Sequence, residues 1–513
     1  MDQVILFFPR PWPGVEMAGR VPLSLLHLHG YLKGEDFRIR IVDERTAPDI
    51  PAFINSLGND VLCFGISSFT GIQIANGLKI AALLKAKFPR TPVIWGGWHP
   101  SSLPEQTLKH PLVDIVVRGP GEETFRELLH ALSGGKPLSE VKGISYKLNG
   151  ELFHNPDREL TGVLEKLRLS YDAIDVEKYI FKQPWGDRSI GIIMSLGCPF
   201  KCGFCAVASV YKCRTFYRDL DLVLEEIDYL VDKHRINAII FDDDNFFVSS
   251  RRVREFCEKL INKPYKIAWD AGAHVGLLLK HYDDAALKLI KDSGCRQLYI
   301  GAESGSDEVL ELIDKKATVA QTLEYVKKMK AIGIRSFLST MACLPGTSSE
   351  DIYMTMEMLL KCRDIDPDLR FRLFYYTPYP ATPLYAKALE TGMKEPKGLE
   401  EWSQHTLRKF KAPWIKSSHR KQIRYFYFYY FPYSTGIKHE AFEIGLLNNI
   451  LKKLFRLVFE NILLVKLAKW RTRNSNYKFQ ADAFFVIQGQ RLKSFYNHAV
   501  RKQAADLFSD YED

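Results

Sequence analysis

The chain has 513 residues, of which 46% are hydrophobic and 26% are charged. That length and balance are typical of a globular protein with two to four domains, and they exclude a disordered or fibrous chain. The net charge is +10, but residues 401–513 hold 20 Lys and Arg against 9 Asp and Glu, so the rest of the chain is nearly neutral. This distribution marks a boundary near Glu400 and excludes a nucleic-acid groove across the whole protein.

The cysteines do not form the pattern of a disulfide framework. There are nine of them, an odd number, and all but three stand apart from one another in apolar segments. The segment Met1–Arg10 lacks the basic and long apolar regions of a signal peptide or membrane anchor. We therefore expect a protein of the reducing cytoplasm.

The first 135 residues alternate between predicted strands and helices. The clearest helix runs from Gln73 to Phe88, where apolar residues recur at helical spacing. Five apolar runs predict strands at Val4–Phe8, Ile39–Asp43, Val61–Ser67, Val93–Gly97 and Ile115–Gly119. This alternation predicts an α/β domain with a doubly wound, Rossmann-like parallel sheet, in which ligands bind at the carboxyl ends of the strands.

Three of those carboxyl ends carry small or turn-forming residues. Glycine at such positions lets backbone amides approach a ligand, although glycines after strands are also ordinary turns and a lone histidine is often a capping residue. The candidate ligand-binding residues are Ser67, Ser68, Gly96, Gly97, His99, Gly119, Gly121 and Glu122.

The order of these loops resembles the cobalamin-binding domain found ahead of radical S-adenosylmethionine (SAM) domains. The resemblance covers residues 1–135 and implies that the loops bind cobalamin. Cobalamin domains of the methionine-synthase type supply a histidine to cobalt from an Asp-x-His-x-x-Gly loop, which does not occur in this chain. The resemblance therefore implies cobalt without that lower ligand.

Residues 136–188 are predicted to form a polar connector. Residues 189–395 again alternate between predicted strands and helices. Helices are predicted at Leu220–Lys233 and Val319–Ala331. Six strands are predicted, at Gly191–Ser195, Ala238–Phe241, Ile267–Asp270, Gln297–Ile300, Arg335–Thr340 and Arg370–Phe374. Repeated βα units predict a full or partial barrel of the triosephosphate-isomerase type, with its chemistry at the strand carboxyl ends.

Three cysteines follow the first predicted barrel strand, in the spacing Cys198-x-x-x-Cys202-x-x-Cys205. Thiolates favour iron–sulfur clusters, zinc or copper(I), and a structural zinc site would need a fourth ligand, for which Cys213 is the nearest spare thiol. The spacing, with the aromatic Phe204 before the last cysteine, resembles the signature of the radical SAM superfamily. That resemblance covers residues 188–395.

The radical SAM resemblance implies a cofactor set and a group of binding residues. Cys198, Cys202 and Cys205 would hold a 4Fe-4S cluster whose fourth iron binds SAM, and reductive cleavage of SAM would release a 5′-deoxyadenosyl radical. It implies SAM contacts for Phe204, Asp242, Asp243, Asp244, Glu303, Ser304 and Leu344. It assigns no catalytic side chain.

Residues 396–513 are predicted to be mainly helical and basic. A stretch from Ala441 to Trp470 places leucines along one side and interleaves lysines and arginine. Such a helix either caps the barrel or lies on an anionic membrane. The sequence leaves both roles open.

Together the two resemblances imply a cobalamin-dependent radical SAM enzyme, similar to class B methyltransferases and to anaerobic magnesium-protoporphyrin ester cyclases. Methylation of an unactivated carbon in a biosynthetic intermediate is the first hypothesis. A radical cyclase or ring-rearranging enzyme is the second, and a non-catalytic cobalamin carrier or sensor is the third. The implied partners are a small-molecule or lipid-like substrate and an electron donor such as flavodoxin or ferredoxin, without nucleic acid.

Overall fold

The computed structural model describes residues 2–11, 20–47, 49–160, 167–406, 410–430, 462–474, 480–484 and 486–487. Within these ranges the strands form two seven-stranded sheets and one two-stranded sheet. The first sheet has the order β2-β1-β3-β4-β5-β6-β7, and β1 to β5 are parallel. Its strands are β1 Asp2–Phe8, β2 Phe37–Asp43, β3 Val61–Ser67, β4 Val93–Gly96, β5 Ile115–Val117, β6 Ile144–Leu148 and β7 Glu151–His154.

Helices cover both faces of the first sheet, which confirms the doubly wound fold. Ile5 and Phe7 of β1 pack on the side of α2 and α3, whereas Val4 and Leu6 pack on the side of α1 and α6. A strand buried on both faces reads as a continuous apolar run, as β1 does. The helices are α1 Leu23–Tyr31, α2 Ile50–Ser56, α3 Ile72–Lys87, α4 Trp98–Ser102, α5 Pro104–Lys109 and α6 Glu122–Leu132.

Two strands of the first sheet lie in the segment that the sequence assigned to a connector. Both β6 and β7 pair antiparallel, β6 on β5 and β7 on β6. They cover the edge that β5 would otherwise expose, and an uncovered edge strand invites pairing with another chain. The sheet thus continues beyond residue 135, to His154.

The second sheet contains six parallel strands and forms an open, partial barrel. Its order is β16-β15-β14-β13-β12-β9-β8, with β8 antiparallel at one edge. The remaining strands, β10 and β11, form a separate antiparallel pair. The strands are β8 Phe181–Gln183, β9 Gly186–Ile192, β10 Ser195–Gly197, β11 Thr215–Tyr217, β12 Ala238–Phe241, β13 Ala268–Ala273, β14 Cys295–Glu303, β15 Arg335–Ala342 and β16 Arg370–Tyr375.

The first barrel strand ends earlier than the sequence predicts. The predicted strand Gly191–Ser195 divides, because β9 stops at Ile192 and Ser195 begins β10. The carboxyl group of Asp243 causes the division: it accepts hydrogen bonds from the Met194 N–H (3.0 Å) and from the Ser195 hydroxyl (2.5 Å). The chain therefore leaves the barrel before it reaches the cysteines.

Helices pack on the outer face of the barrel. Trp269 of β13 and Phe241 of β12 contact Phe256 of α9 at ring separations of 5.8 and 5.3 Å. These contacts place the apolar core between the sheet and its helices and leave the other face of each strand toward the barrel interior. The helices are α7 Val207–Tyr211, α8 Leu220–His234, α9 Ser250–Ile261, α10 Val275–His281, α11 Asp284–Asp292, α12 Asp307–Leu312, α13 Val319–Ile332 and α14 Ser349–Ile365.

The segment after the barrel returns to the first sheet. Trp402 is fully buried, donates from Nε1 to Gln106 Oε1 (2.5 Å) and packs its ring against His99 at 5.3 Å. The helices of this part are α15 Pro383–Glu390, α16 Leu399–Ser403, α17 Ser417–Tyr425 and α18 Ile462–Arg473, with a π-helical turn at Phe426–Tyr430. Trp402 thus joins the C-terminal segment to the N-terminal part of the chain.

The basic helix predicted from Ala441 to Trp470 lies outside the described residues up to position 461. None of the helices in the described ranges is long and apolar enough to cross a membrane. Membrane contact through this region stays a prediction.

The burial of Trp402 predicts a large effect on stability. Trp402→Ala should lower the free energy of unfolding by about 3–5 kcal/mol, because it leaves a cavity between the two parts of the chain. Urea unfolding followed by far-ultraviolet circular dichroism measures this change. The matched control is Trp470→Ala on α18, since Trp470 is 50% exposed and its removal should change stability by less than about 0.5 kcal/mol. Equal effects of the two variants would contradict the proposed anchoring.

Candidate functional site

The three cysteines lie on a loop that backbone hydrogen bonds hold in place. The Gly203 N–H donates to the Ile313 carbonyl (2.8 Å), and the Gly203 carbonyl accepts from the Leu384 N–H (2.9 Å). The Cys205 N–H donates to the Cys202 carbonyl (3.0 Å). The loop is therefore pinned between the end of α12 and the start of α15.

Gly197 makes the entry into this loop possible. Its φ of +85° is rare for residues with a side chain, and an added Cβ would collide with the Arg214 carbonyl oxygen. The Gly197 N–H donates to Asp244 Oδ2 (2.7 Å), and burial raises the pKa of that carboxyl. Asp243 and Asp244 thus hold the residues that lead into the cysteine loop.

The three thiols lie in one region, in which Cys202 is buried and Cys198 and Cys205 are half-buried. Burial raises the pKa of each, that of Cys205 to about 12, and the charge of Cys198 acts on the ionisation of both Cys202 and Cys205. Asn245 Nδ2 lies 3.7 Å from Cys198 Sγ. Such a group is positioned to donate to a thiolate and so stabilise a bound cluster.

The donor set fits an iron–sulfur cluster. In the described part of the chain, no three His, Cys, Asp or Glu side chains converge as ligands of one metal ion. A cubane cluster needs no such convergence, because each thiolate binds a different iron. All nine cysteines are free thiols.

A buried ion pair lies beside the cysteine loop. Lys315 Nζ contacts Glu303 Oε1 at 3.0 Å, and both side chains are less than a tenth exposed. Lys315 Nζ also lies 5.8 Å from the centre of the Phe204 ring. A Cβ on Gly301 would collide with Glu303 Oε1, so glycine at that position leaves room for the pair. The pair places a cation and a carboxylate next to the thiols.

Lys315 is a residue that sequence reasoning missed. It stands next to Lys316 in the chain, and nothing in the pattern distinguishes the two, although one is fully buried and the other is exposed. Lys315 lowers the pKa of the Cys202 thiol against the effect of burial. Its charge therefore favours thiolate at the cluster site.

His274 connects Lys315 to the cysteine loop. Its ring stacks on Phe200 at 3.9 Å with an interplanar angle of 10°. Its Nε2 donates to the Lys315 carbonyl (2.7 Å) and its Nδ1 accepts from the Gly276 N–H (3.1 Å). Burial, and then the charge of Lys315, lower the pKa of His274 to about 4, so the ring stays neutral.

Ser304 and Leu344 meet at the ends of β14 and β15. Both are buried and line a small hollow of about 10 Å³. Ser304 Oγ lies 3.3 Å from Thr355 Oγ1, and Leu344 packs in one apolar cluster with Phe204 and Ile313. These predicted SAM contacts therefore lie on the side of the site that carries Glu303 and Lys315.

A larger cavity of about 460 Å³ lies between the first sheet and the barrel. Gly97 has a φ of +103°, and a Cβ there would lie 2.5 Å from the Ser68 carbonyl oxygen, so only glycine lets the two loops meet. The barrel contributes Asp242 and Asp244. Seven predicted cobalamin contacts line the cavity: Ser67, Ser68, Gly96, Gly97, Gly119, Gly121 and Glu122.

His99 is the exception among the predicted cobalamin contacts, because it does not line this cavity. It is fully buried, with Nδ1 3.0 Å from the Thr70 hydroxyl and its ring against Trp402. Burial, and then the nearby His405, lower its pKa to about 3. Its position gives it a packing role at the junction with the C-terminal segment.

The cavity also contains residues that the sequence did not indicate. Tyr211 of α7 and Trp98 of α4 contact each other edge to face at 5.9 Å. Arg20, which precedes α1, pairs with Asp242 of the barrel at 3.1 Å. These contacts join residues far apart in the chain, so sequence spacing carries no signal for them.

Two parts of the sequence match known protein families. Residues 192–359 match the radical SAM superfamily, and residues 21–129 match the B12 binding domain. These ranges contain the cysteine loop and the cavity loops respectively.

Two relatives and one solved structure are similar to most of the chain. An uncharacterized methyltransferase of Pyrococcus horikoshii is 30% identical over 379 residues, which cover 72% of this chain and 79% of that protein. The anaerobic magnesium-protoporphyrin IX monomethyl ester cyclase of Rubrivivax gelatinosus is 27% identical over 383 residues, which cover 72% and 67%. The cobalamin-dependent SAM radical enzyme OxsB, with aqua-cobalamin and SAM bound, shares the fold with a TM-score of 0.70 at 16% identity, covering 96% of this chain and 75% of OxsB.

The buried ion pair predicts that Lys315 is needed for a stable site. Lys315→Met should destabilise the protein by about 3–5 kcal/mol, because it leaves the Glu303 carboxylate buried without a countercharge. Adding Glu303→Gln to this variant should recover part of the loss. The exposed neighbour supplies the control, since Lys316→Met should leave the urea midpoint unchanged. A Lys315→Met protein as stable as the Lys316→Met protein would contradict the pairing.

Proposed function

The chain belongs to the radical SAM superfamily and carries a B12-binding domain, as its sequence predicts, and we propose that it is a cobalamin-dependent enzyme that methylates an unactivated carbon. The observation that carries the proposal is the shared cavity. The glycine-rich loops of the first sheet line the same space as Asp244, which binds the backbone at the entry to the cysteine loop. A group held on one side can therefore react with a substrate held on the other.

The cofactors are a 4Fe-4S cluster, SAM and cobalamin. When bound, the cluster supplies the electron that cleaves SAM to a 5′-deoxyadenosyl radical, and cobalamin carries the methyl group. Cys198, Cys202 and Cys205 would hold the cluster through three irons. The loops at Ser68 and Gly97, which line the cavity, would hold cobalamin.

Lys315 would bind the carboxylate of SAM. Its ammonium group lies 5.8 Å from the Phe204 ring of the cysteine loop and is less than a tenth exposed, so a carboxylate placed at the open iron would find a nearby cation that is shielded from water. Four predicted SAM contacts lie in the same part of the site as Lys315: Phe204, Glu303, Ser304 and Leu344. Both carboxylate oxygens of Asp243 already accept hydrogen bonds from the chain, so a contact between SAM and Asp243 stays a prediction.

An external protein would deliver the electron. Phe200, in the cysteine loop, lines a surface depression of about 500 Å³ together with Lys280, His281 and Lys316. An acidic flavodoxin or ferredoxin would match these basic groups and would stand next to the cluster. Free thiols throughout the chain accord with a reducing cytoplasm as the place of action.

The cyclase alternative differs from methylation in the fate of the methyl group. Incubation with methyl-deuterated SAM and a small-molecule extract of the source organism should give a product that carries the deuterated methyl group. Mass spectrometry detects it. Substrate turnover to an unlabelled product would sink the methylation proposal and favour a cyclase or a rearrangement.

If Cys202 is a cluster ligand, it is essential for cleavage of SAM. Cys202→Ala should abolish 5′-deoxyadenosine formation from SAM, because the cluster loses one of its three thiolates. Cys213→Ala is the matched control, since this cysteine lies just beyond α7 and outside the motif, and it should keep wild-type turnover. Liquid chromatography of anaerobic reactions measures both. Equal turnover of the two variants would refute the assignment of Cys202 to the cluster, and a wild-type protein that forms no 5′-deoxyadenosine would support a cobalamin carrier.

A further inference from the structure

The barrel interior contains a buried carboxyl group without a hydrogen-bond partner. Asp270 of β13 is fully buried, and neither of its carboxylate oxygens has a partner among the described residues. A buried polar group in this state destabilises the fold unless something else satisfies it. Packing alone therefore does not explain why an aspartate stands here.

The alternation of β13 shows which way Asp270 faces. Its neighbour Trp269 points outward, into the aromatic cluster with Phe241 and Phe256. Successive strand residues point to opposite faces, so Asp270 faces the barrel interior. Its register partners on the adjacent strands, Ile240 and Gln297, face the same way.

Charge around Asp270 is unbalanced. Burial, and then the negative charge of Asp242, raise the pKa of Asp270 to about 8, whereas Arg20 acts in the opposite direction. Arg20 already pairs with Asp242 at 3.1 Å. Burial, and then the charge of Asp270, raise the pKa of Tyr299 on the neighbouring strand. Two carboxyl groups thus share one guanidinium.

The strand leaves room on the same face next to Asp270. Gly272 is the next residue on that face of β13, and a Cβ built there would meet no atom closer than the Asp243 carbonyl oxygen at 3.8 Å. Asp242, whose charge acts on Asp270, lines the large cavity.

We propose that Asp270, together with Asp242, anchors a positively charged nitrogen of the substrate, such as an ammonium or amidinium group. This inference rests on the proposed function, since it names the substrate class of the same site. A cationic nitrogen supplies both the missing countercharge and the N–H donors. A carboxylate or phosphate would bring a further negative group against the Asp242 carboxylate, and a hydroxyl would bring no charge to favour the ionised form of Asp270.

Three probes of equal length test the preference: n-hexylammonium, n-hexanol and n-hexanoate, titrated into the reconstituted enzyme and followed by calorimetry. The wild type should bind the ammonium at least tenfold more tightly than either other probe, and Asp270→Asn should lose that preference. The matched control is Asp292→Asn on the exposed face of α11. This variant should keep the preference for n-hexylammonium. Equal binding of the three probes, or a preference that survives in Asp270→Asn, would overturn the proposal.

The melting temperature of substituted proteins provides the second measurement. It should fall when a residue needed for folding is replaced, but not when a residue needed only for binding is replaced. Asp270→Asn and Asp270→Leu should melt at or above the wild-type temperature without substrate, since both remove an unpaired buried carboxyl group. A lower melting temperature for both variants would assign Asp270 a structural role and overturn the proposal. SAM cleavage by the wild type distinguishes failure of this proposal from failure of the proposed function. Cleavage of SAM without a preference for ammonium would refute only the binding role of Asp270, whereas absence of cleavage would refute the proposed function.

Discussion

Two adjacent carboxyl groups after β12 hold the residues on which the site depends. Asp243 binds the backbone of Met194 and the hydroxyl of Ser195, and Asp244 binds the backbone of Gly197. These three hydrogen bonds turn the chain out of the barrel at the end of β9 and aim it at the cysteines. Asp243 is buried, so its two bonds lie in an environment of low dielectric, where they are stronger than in water. The position of the cluster ligands therefore depends on a loop almost fifty residues later in the chain.

The cavity exists because two folded units meet face to face. Arg20 reaches from the first unit to Asp242 of the barrel, and Trp402 returns from the end of the barrel to the first sheet. The carboxyl ends of both parallel sheets contribute to the space between them, which is where open α/β sheets bind ligands. Cobalamin held by the loops of the first sheet would therefore face the barrel.

Buried charged groups are concentrated in the barrel, beside the cysteine loop and on the interior face of β13. Lys315 and Glu303 form a pair that is fully enclosed, whereas Asp270 has no hydrogen-bond partner among the described residues. Ion pairs that are buried stabilise a fold little, and unpaired charges destabilise it. Charged groups that are buried although they destabilise the fold are typical of binding sites. In the proposals above, SAM would bind at the Lys315–Glu303 pair and substrate would bind at Asp270.

The two sheets, the cysteine motif and the loops that line the cavity could be predicted from the amino-acid pattern. Apolar runs and helical spacing are local features, and the motif Cys198 to Cys205 is contiguous, so each can be recognised without a fold. Three other features could not be predicted: His99 packs against Trp402, Asp243 binds the chain before the cysteines, and Lys315 rather than Lys316 is buried. The positions of β6 and β7 at one edge of the first sheet could not be predicted either. Each of these depends on contacts between residues far apart in the chain, and such contacts arise only when the strands and helices pack.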